Sequence, residues 1–536
     1  MGSCQSIAIV VVAGLLALDA RSAVAQLPRT EARPTGFHLL ETTIDDVHAA
    51  LRSGELTCRE LVGLYLKRIE AYDKHGPSLN AVQTVNSRAL QDADRLDTAF
   101  RSSGLVGSLH CVPLLLKDQV ETSDMPTTYG SAVFKDFIPQ RDATIVTKLK
   151  NAGAVILAKT TMGEFASRYV GSAFGIARNA YDPERNASGS SSGTGSGVAA
   201  NFGTVGIGED TGGSVRGPAA VGSLVGLRPT VPLVSRHGLM PAKPTSDTLG
   251  PITRTVKDAA IVLGVIAGYD PNDPMTAYAV GQIPASYTKF LDKDGLRGAR
   301  IGVIREPMDP KTDPTSDDYK KVKAVIDRAL ADLKNLRAHV VDPVTIPGLQ
   351  DRVKRGYDDN VFETEQALKN YLAQHANAPV KTLRDILLIG KVVPWRASQL
   401  MANVGRSTDE AGYAQVLLVQ EETRQIVLKL MADNNLDALA YATFDHQPTV
   451  VAPDVLTNPD TKDGAALGNN RYLAPILGFP AITVPAGFTT EDLPVGIEFM
   501  GRPFTEGTLL MLGYAYEQNR HNRKPPDSAP RLPAEP

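Results

Sequence analysis

Two parts of the chain hold residues that together could break an acyl bond. One is a lysine closing an apolar run, Lys117 in VPLLLKDQV; the other is Ser188–Pro218, with serine–glycine loops SGSSSG and DTGGS. Glycines crowd a serine where backbone N–H groups must approach a reacting oxygen, because glycine accepts unusual dihedrals and presents no side chain. The small-residue segment between the loops can wind as a packed helix.

Acyl transfer requires a nucleophile, a base and donors for the oxyanion. Ser214 follows Asp210-Thr211-Gly212-Gly213, so the N–H groups of Thr211, Gly212, Gly213 and Ser214 can converge as a backbone nest. Burial lowers the pKa of an amine by disfavouring its ammonium form, so Lys117 is the candidate base. The triplet Ser190-Ser191-Ser192 leaves two readings open. Ser191 in GSSSG matches the GxSxG elbow of an α/β-hydrolase-type serine esterase with a later histidine, although the preceding DPERNAS is turn-like rather than a strand. Alternatively, Ser190 relays a proton between Lys117 and Ser214.

The elements around these residues alternate. Thr43 caps a short helix, and Thr57 with Glu60 forms a capping box for a helix bearing Leu61, Leu64 and Ile69. A strand near 81–85, a helix after Asn86 and the strand ending at Lys117 follow. Helix 142–150 and strand 154–158 repeat the pattern, as do strand 299–304, a helix carrying Val322 to Leu333, and strand 339–342. Such alternation predicts one α/β architecture. Residues 345–435 read as a helical cover, and strand patterns resume at 438–442, 481–485 and 495–500.

With 536 residues, 43% apolar and 21% charged residues and a net charge of −3, the chain is globular in composition, with no basic excess to hold a nucleic acid. Ile7–Leu18 is apolar and Ala23-Val24-Ala25 precedes Gln26, so residues 1–25 read as a signal peptide cleaved after Ala25, giving a secreted or periplasmic protein without stable membrane association. No Lys or Arg precedes Ile7, which leaves a short anchor as the alternative. Residues 26–38 read as a linker, 39–523 as the folded domain and 524–536 as a polar tail. Cys58 and Cys111 are read as single buried thiols, and the nine scattered histidines show no metal-ligand spacing.

Taken jointly, Val112-Pro113 through Lys117-Asp118, Lys159 to Phe165, Gly189 to Gly193, Asp210 to Arg216, Gly226 to Thr230, Asp247 to Arg254 and Leu477 to Ala481 resemble the amidase signature hydrolases over nearly the whole mature chain. The resemblance implies a large mixed β-sheet surrounded by helices and a Ser-cisSer-Lys triad of Ser214, Ser190 and Lys117, with Ser191 as the nearest rival for the cis position. It implies no metal or organic cofactor. Two departures stand out: Cys111 where the family usually has glycine, and Gly163 where an acidic or small polar residue is frequent. Gly163, Glu164 and Ser191 are carried as candidate substrate contacts.

The expected activity is hydrolysis of the C–N bond of small-molecule carboxamides to a carboxylate and ammonia or an amine, with esters, anilides and carbamates as further candidate substrates. The competing readings are the Ser191–histidine esterase, a transamidase component, and a catalytically silent periplasmic binding protein.

Overall fold

Burial on both faces explains the uninterrupted apolar run before Lys117. The computed structural model describes residues 1–2, 36–358, 360–533 and 535–536. Its strands are β1 Val82–Val85, β2 Pro113–Lys117, β3 Val155–Thr160, β4 Val205–Asp210, β5 Val225–Arg228, β6 Thr248–Thr253, β7 Arg300–Ile304, β8 His339–Val344, β9 Ala438–Ala442, β10 Ala481–Phe488 and β11 Pro494–Met500. Among the described residues these form one 11-stranded mixed sheet in the order β1-β3-β2-β4-β6-β5-β10-β11-β9-β7-β8. Leu114 and Leu116 of β2 enter one hydrophobic cluster and Leu115 enters the cluster on the opposite face.

The expected fold class therefore holds, and the α/β alternation is its visible trace in the sequence. β2 runs parallel to both β3 and β4, so Lys117 and the Glu209-Asp210 pair emerge at the same edge, where parallel sheets place their ligands. The capping boxes at Thr43 and Thr57 are present and start helices Ile44–Ser53 and Cys58–Tyr72. Between 349 and 433 the chain is helical, with helices Leu349–Gly356, Asn360–Ala373, Leu383–Leu388, Pro394–Met401 and Ala411–Asp433. No helix of the described residues is long and apolar enough to cross a membrane.

Two expectations are corrected. Cys58 and Cys111 are not single thiols: they form a disulfide, with Cα atoms 5.5 Å apart. The helix start at Cys58 and the turn before β2 meet only through tertiary packing, which residue spacing does not encode. The segment 524–536 is not a loose tail. Arg68, fully buried, donates to the carbonyls of Ala529 and Pro530 and pairs with Glu535 at 2.9 Å. Phe37 is buried and belongs to the compact unit Phe37–Pro536. The signal peptide and most of the expected linker lie outside the described residues.

Candidate active site

Lys117 is the last residue of β2, and its Nζ reaches three oxygens: Ser190 Oγ at 2.8 Å, Glu209 Oε2 at 2.8 Å and the Glu209 carbonyl at 3.2 Å. Ser190 follows a cis Gly189–Ser190 peptide bond, and its carbonyl accepts the Gly163 amide at 3.1 Å. Gly189 is required for space, since a Cβ there would lie 1.6 Å from the Arg168 carbonyl oxygen. The serine of the second loop is tied in by its backbone, the Ser191 N–H donating to the Ser214 carbonyl at 3.3 Å. Exposure rises outward from Lys117 at 0% through Ser190 at 1% to Ser214 at 8%. The amine is thus sealed from water, and Ser214 is the most exposed of the three residues.

Burial is the largest influence on Lys117 and lowers its pKa; the Glu209 carboxylate opposes this and favours the ammonium. The net direction is downward because neither side chain retains any water contact. Sequence reasoning missed Glu209. Its signal was a carboxylate inside the apolar strand VGIGED, where an ionised group needs a buried partner.

The loop after β4 is shaped by Asp210. Its carboxylate accepts the Gly213 amide at 2.8 Å and the Val215 amide at 3.0 Å, and it pairs with Arg216 and Arg228 at 3.2 and 2.9 Å. Burial would raise its pKa, but the two guanidiniums and these bonds outweigh burial and hold it well below the usual carboxylate range. Gly213, at φ 101°, makes the turn that folds the loop over this carboxylate. Of the four amides expected to form the nest, that of Gly213 is already engaged, while among the described residues those of Thr211, Gly212 and Ser214 have no protein acceptor. Arg471 braces the loop by donating to the Gly213 carbonyl at 2.8 Å. The Tyr357 hydroxyl covers Gly212, lying 2.3 Å from where a Cβ would stand.

Other predicted contacts have different places. Ser191 Oγ sits between the carbonyl and amide of Glu209, at 3.2 and 3.3 Å, with the side chain fully buried. It is a strut between the loop and β4, which removes it as an exposed nucleophile or a side-chain contact for substrate. Glu164 accepts from Ser172 Oγ at 2.5 Å and from the Val393 amide at 2.8 Å. Its carboxylate anchors the helical cover instead of pointing to a substrate. Gly163 acts through its backbone on Ser190. No histidine of the described residues hydrogen-bonds to Ser191 or Ser214; His237 lies against Thr144 Oγ1 at 3.3 Å and His446 against Asp318 at 2.7 Å. The Ser191–histidine arrangement is thus absent.

The sequence profile described as Amidase matches residues 60–510. The chain belongs to the amidase signature family. A probable amidase of Arabidopsis thaliana is 34% identical, the match covering 91% of this chain and 92% of the relative. A glutamyl-tRNA(Gln) amidotransferase component of Thermosynechococcus vestitus is 33% identical, over 90% of this chain and 99% of that relative. The crystal structure of the peptide amidase of Stenotrophomonas maltophilia superposes with a TM-score of 0.81 at 34% identity, covering 92% of this chain and 100% of that one. This amidase is accordingly a hydrolase acting on amides.

Proposed function

We propose that the protein is an exported amidase that cleaves carboxamides through an acyl-enzyme on Ser214. The supporting geometry is the Lys117 Nζ to Ser190 Oγ contact of 2.8 Å, deep behind Ser214. Lys117, once neutral, accepts the Ser190 proton while Ser190 accepts that of Ser214. Ser214 Oγ forms its bond to the amide carbon, and the carbonyl electron pair moves onto oxygen, where the free amides of Thr211, Gly212 and Ser214 receive it. Return of the proton along the same path to the amide nitrogen accompanies C–N cleavage and releases ammonia or an amine. Water then attacks the acyl carbon with the same proton path in use, yielding the carboxylate and free Ser214.

Ammonia release from a panel of primary carboxamides, C-terminal peptide amides first, tests the assignment, with esters, anilides and carbamates as further members of the panel. Ser214→Ala is expected to abolish turnover, and Lys117→Ala to reduce it by about 10² or more with the fold retained, as circular dichroism would show. Undiminished hydrolysis by Ser214→Ala removes the reading. A silent binding protein would leave a fluorophosphonate probe unreacted, whereas Ser214 is expected to be labelled. The buried disulfide supports an oxidising compartment, which favours export over a transamidase partnership with tRNA enzymes. Mass spectrometry of protein secreted by the native host should find Gln26 as the first residue.

A further inference from the structure

Thr211 Oγ1 lies 2.5 Å from Glu209 Oε1 and 2.8 Å from Asp247 Oδ1. A hydroxyl has one hydrogen, so it donates to one of these carboxyls and must accept from the other, and a carboxyl donates only when protonated. The shorter contact fits a hydroxyl donating to an ionised acceptor, which identifies Glu209 as the carboxylate. Glu209 also has the Lys117 cation at 2.8 Å. Asp247 has no cation among its described hydrogen-bond partners: Oδ2 accepts the amides of Ala242 and Lys243 at 2.9 and 2.8 Å, leaving Oδ1 as the atom that bears hydrogen. A continuous chain then runs from Asp247 through Thr211, Glu209 and Lys117 to Ser190.

We infer that Asp247 holds a proton which, passed as a hydrogen bond through Thr211 to Glu209, keeps a single negative charge beside Lys117 and sets the pH range in which this amine is a base. Asp247 is thus a positioning residue for the reaction, and the inference rests on Lys117 being the base. Burial, then the Glu209 charge, push the Asp247 carboxyl up to about 8. The charged and titratable groups that face it are Lys117 and Glu209 from the two central strands and Tyr129 from the loop after β2. Arg228 of β5 reaches the neighbouring Ser246 carbonyl, and Lys243 belongs to its own turn. Asp247 also lines a cavity of about 260 Å³ with Arg236, His237, Asp273 and Tyr371, through which its proton can exchange with water. When that proton leaves, a second negative charge appears at the end of the chain and favours the Lys117 ammonium, so the pH at which Lys117 becomes a neutral base is pushed upward.

The test uses the full-length protein and Asp247→Asn, whose amide can donate to Thr211 while its oxygen accepts the two backbone amides. Infrared difference spectra between about pH 6 and about pH 10 should contain, beside the bands of the other buried carboxyls Asp258, Asp445 and Glu517, a protonated-carboxyl band that is lost in the parent and missing from the variant. The acid limb of kcat/KM on a primary carboxamide should move down by about one pH unit or more in Asp247→Asn. If that variant does not fold, Glu209→Gln should move the titration of the Asp247 carboxyl band to lower pH, because Asp247 then ionises without a charged neighbour. A parent and Asp247→Asn with identical infrared differences overturn the inference, as does an acid limb that Asp247→Asn leaves in the parent position. The infrared signal does not depend on turnover, so it distinguishes a missing proton on Asp247 from a failure of Lys117 as the base, which Lys117→Ala reports.

Discussion

The Glu209 carboxylate lies 2.8 Å from Lys117 Nζ, and both side chains are fully buried. The pair places an acceptor for the ammonium directly beside the group that must become neutral. Removing the negative charge should therefore ease loss of the Lys117 proton. In Glu209→Gln the acid limb of the kcat/KM profile is expected to move to lower pH by about one unit or more. An acid limb in the parent position would mean that this charge does not control the lysine.

Adjacent serines should respond differently. Ser190→Ala removes the hydroxyl in contact with Lys117 and is expected to reduce kcat by about 10² to 10⁴, with the melting temperature little changed. Ser191→Ala breaks two internal bonds to Glu209 and is expected to cost about 1 kcal/mol of stability, with the smaller kinetic loss. Paired kinetics and denaturant unfolding separate the two, and a greater kinetic loss in Ser191→Ala would reverse the assignment.

Asp210 neutralises two buried guanidiniums, Arg216 and Arg228. Breaking such a cluster by removing one partner typically costs about 3 to 5 kcal/mol, and Asp210→Asn is expected to fall in this range in urea unfolding. Its folded pKa is depressed. The contribution is therefore complete above about pH 4 and is lost as pH falls through the folded value. The variant should lack this part of the acid-side decline.

Cys111 stands at φ 60°, in the left-handed region that favours glycine, and its sulfur is joined to Cys58, 53 residues away. This resolves the departure noted at that position: the backbone is glycine-like, and the cysteine is held there by a crosslink. Chain entropy assigns the crosslink about 4 kcal/mol. Cys58→Ala with Cys111→Ala should lose roughly that amount, whereas Cys58→Ala with Cys111→Gly should be the more stable of the two by about 1 kcal/mol. Equal unfolding free energies for the two double variants would show that the backbone there is not strained for alanine.

Much of the fold was legible because local rules decide it. Capping boxes at Thr43 and Thr57 start helices by satisfying free amides beside them in sequence, and the apolar run to Lys117 is what a strand covered on both faces requires. The Ser188–Pro218 stretch likewise announced its chemistry, because only small residues allow backbone amides and two serines to crowd one point. Read alone, the residue types and their spacing determined the α/β alternation, the helical cover, and Lys117 and Ser214 as candidates, while the choice of Ser190 over Ser191 came from the family resemblance. Only tertiary structure decided which polar groups satisfy one another. It paired Glu209 with Lys117, engaged the Gly213 amide with Asp210, turned Glu164 and Ser191 inward, joined Cys58 to Cys111, and clasped Glu535 to Arg68. Buried charges and hydrogen-bonding groups choose partners by proximity in the packed interior, and those partners lie far apart along the chain, where neither periodicity nor motif spacing records them.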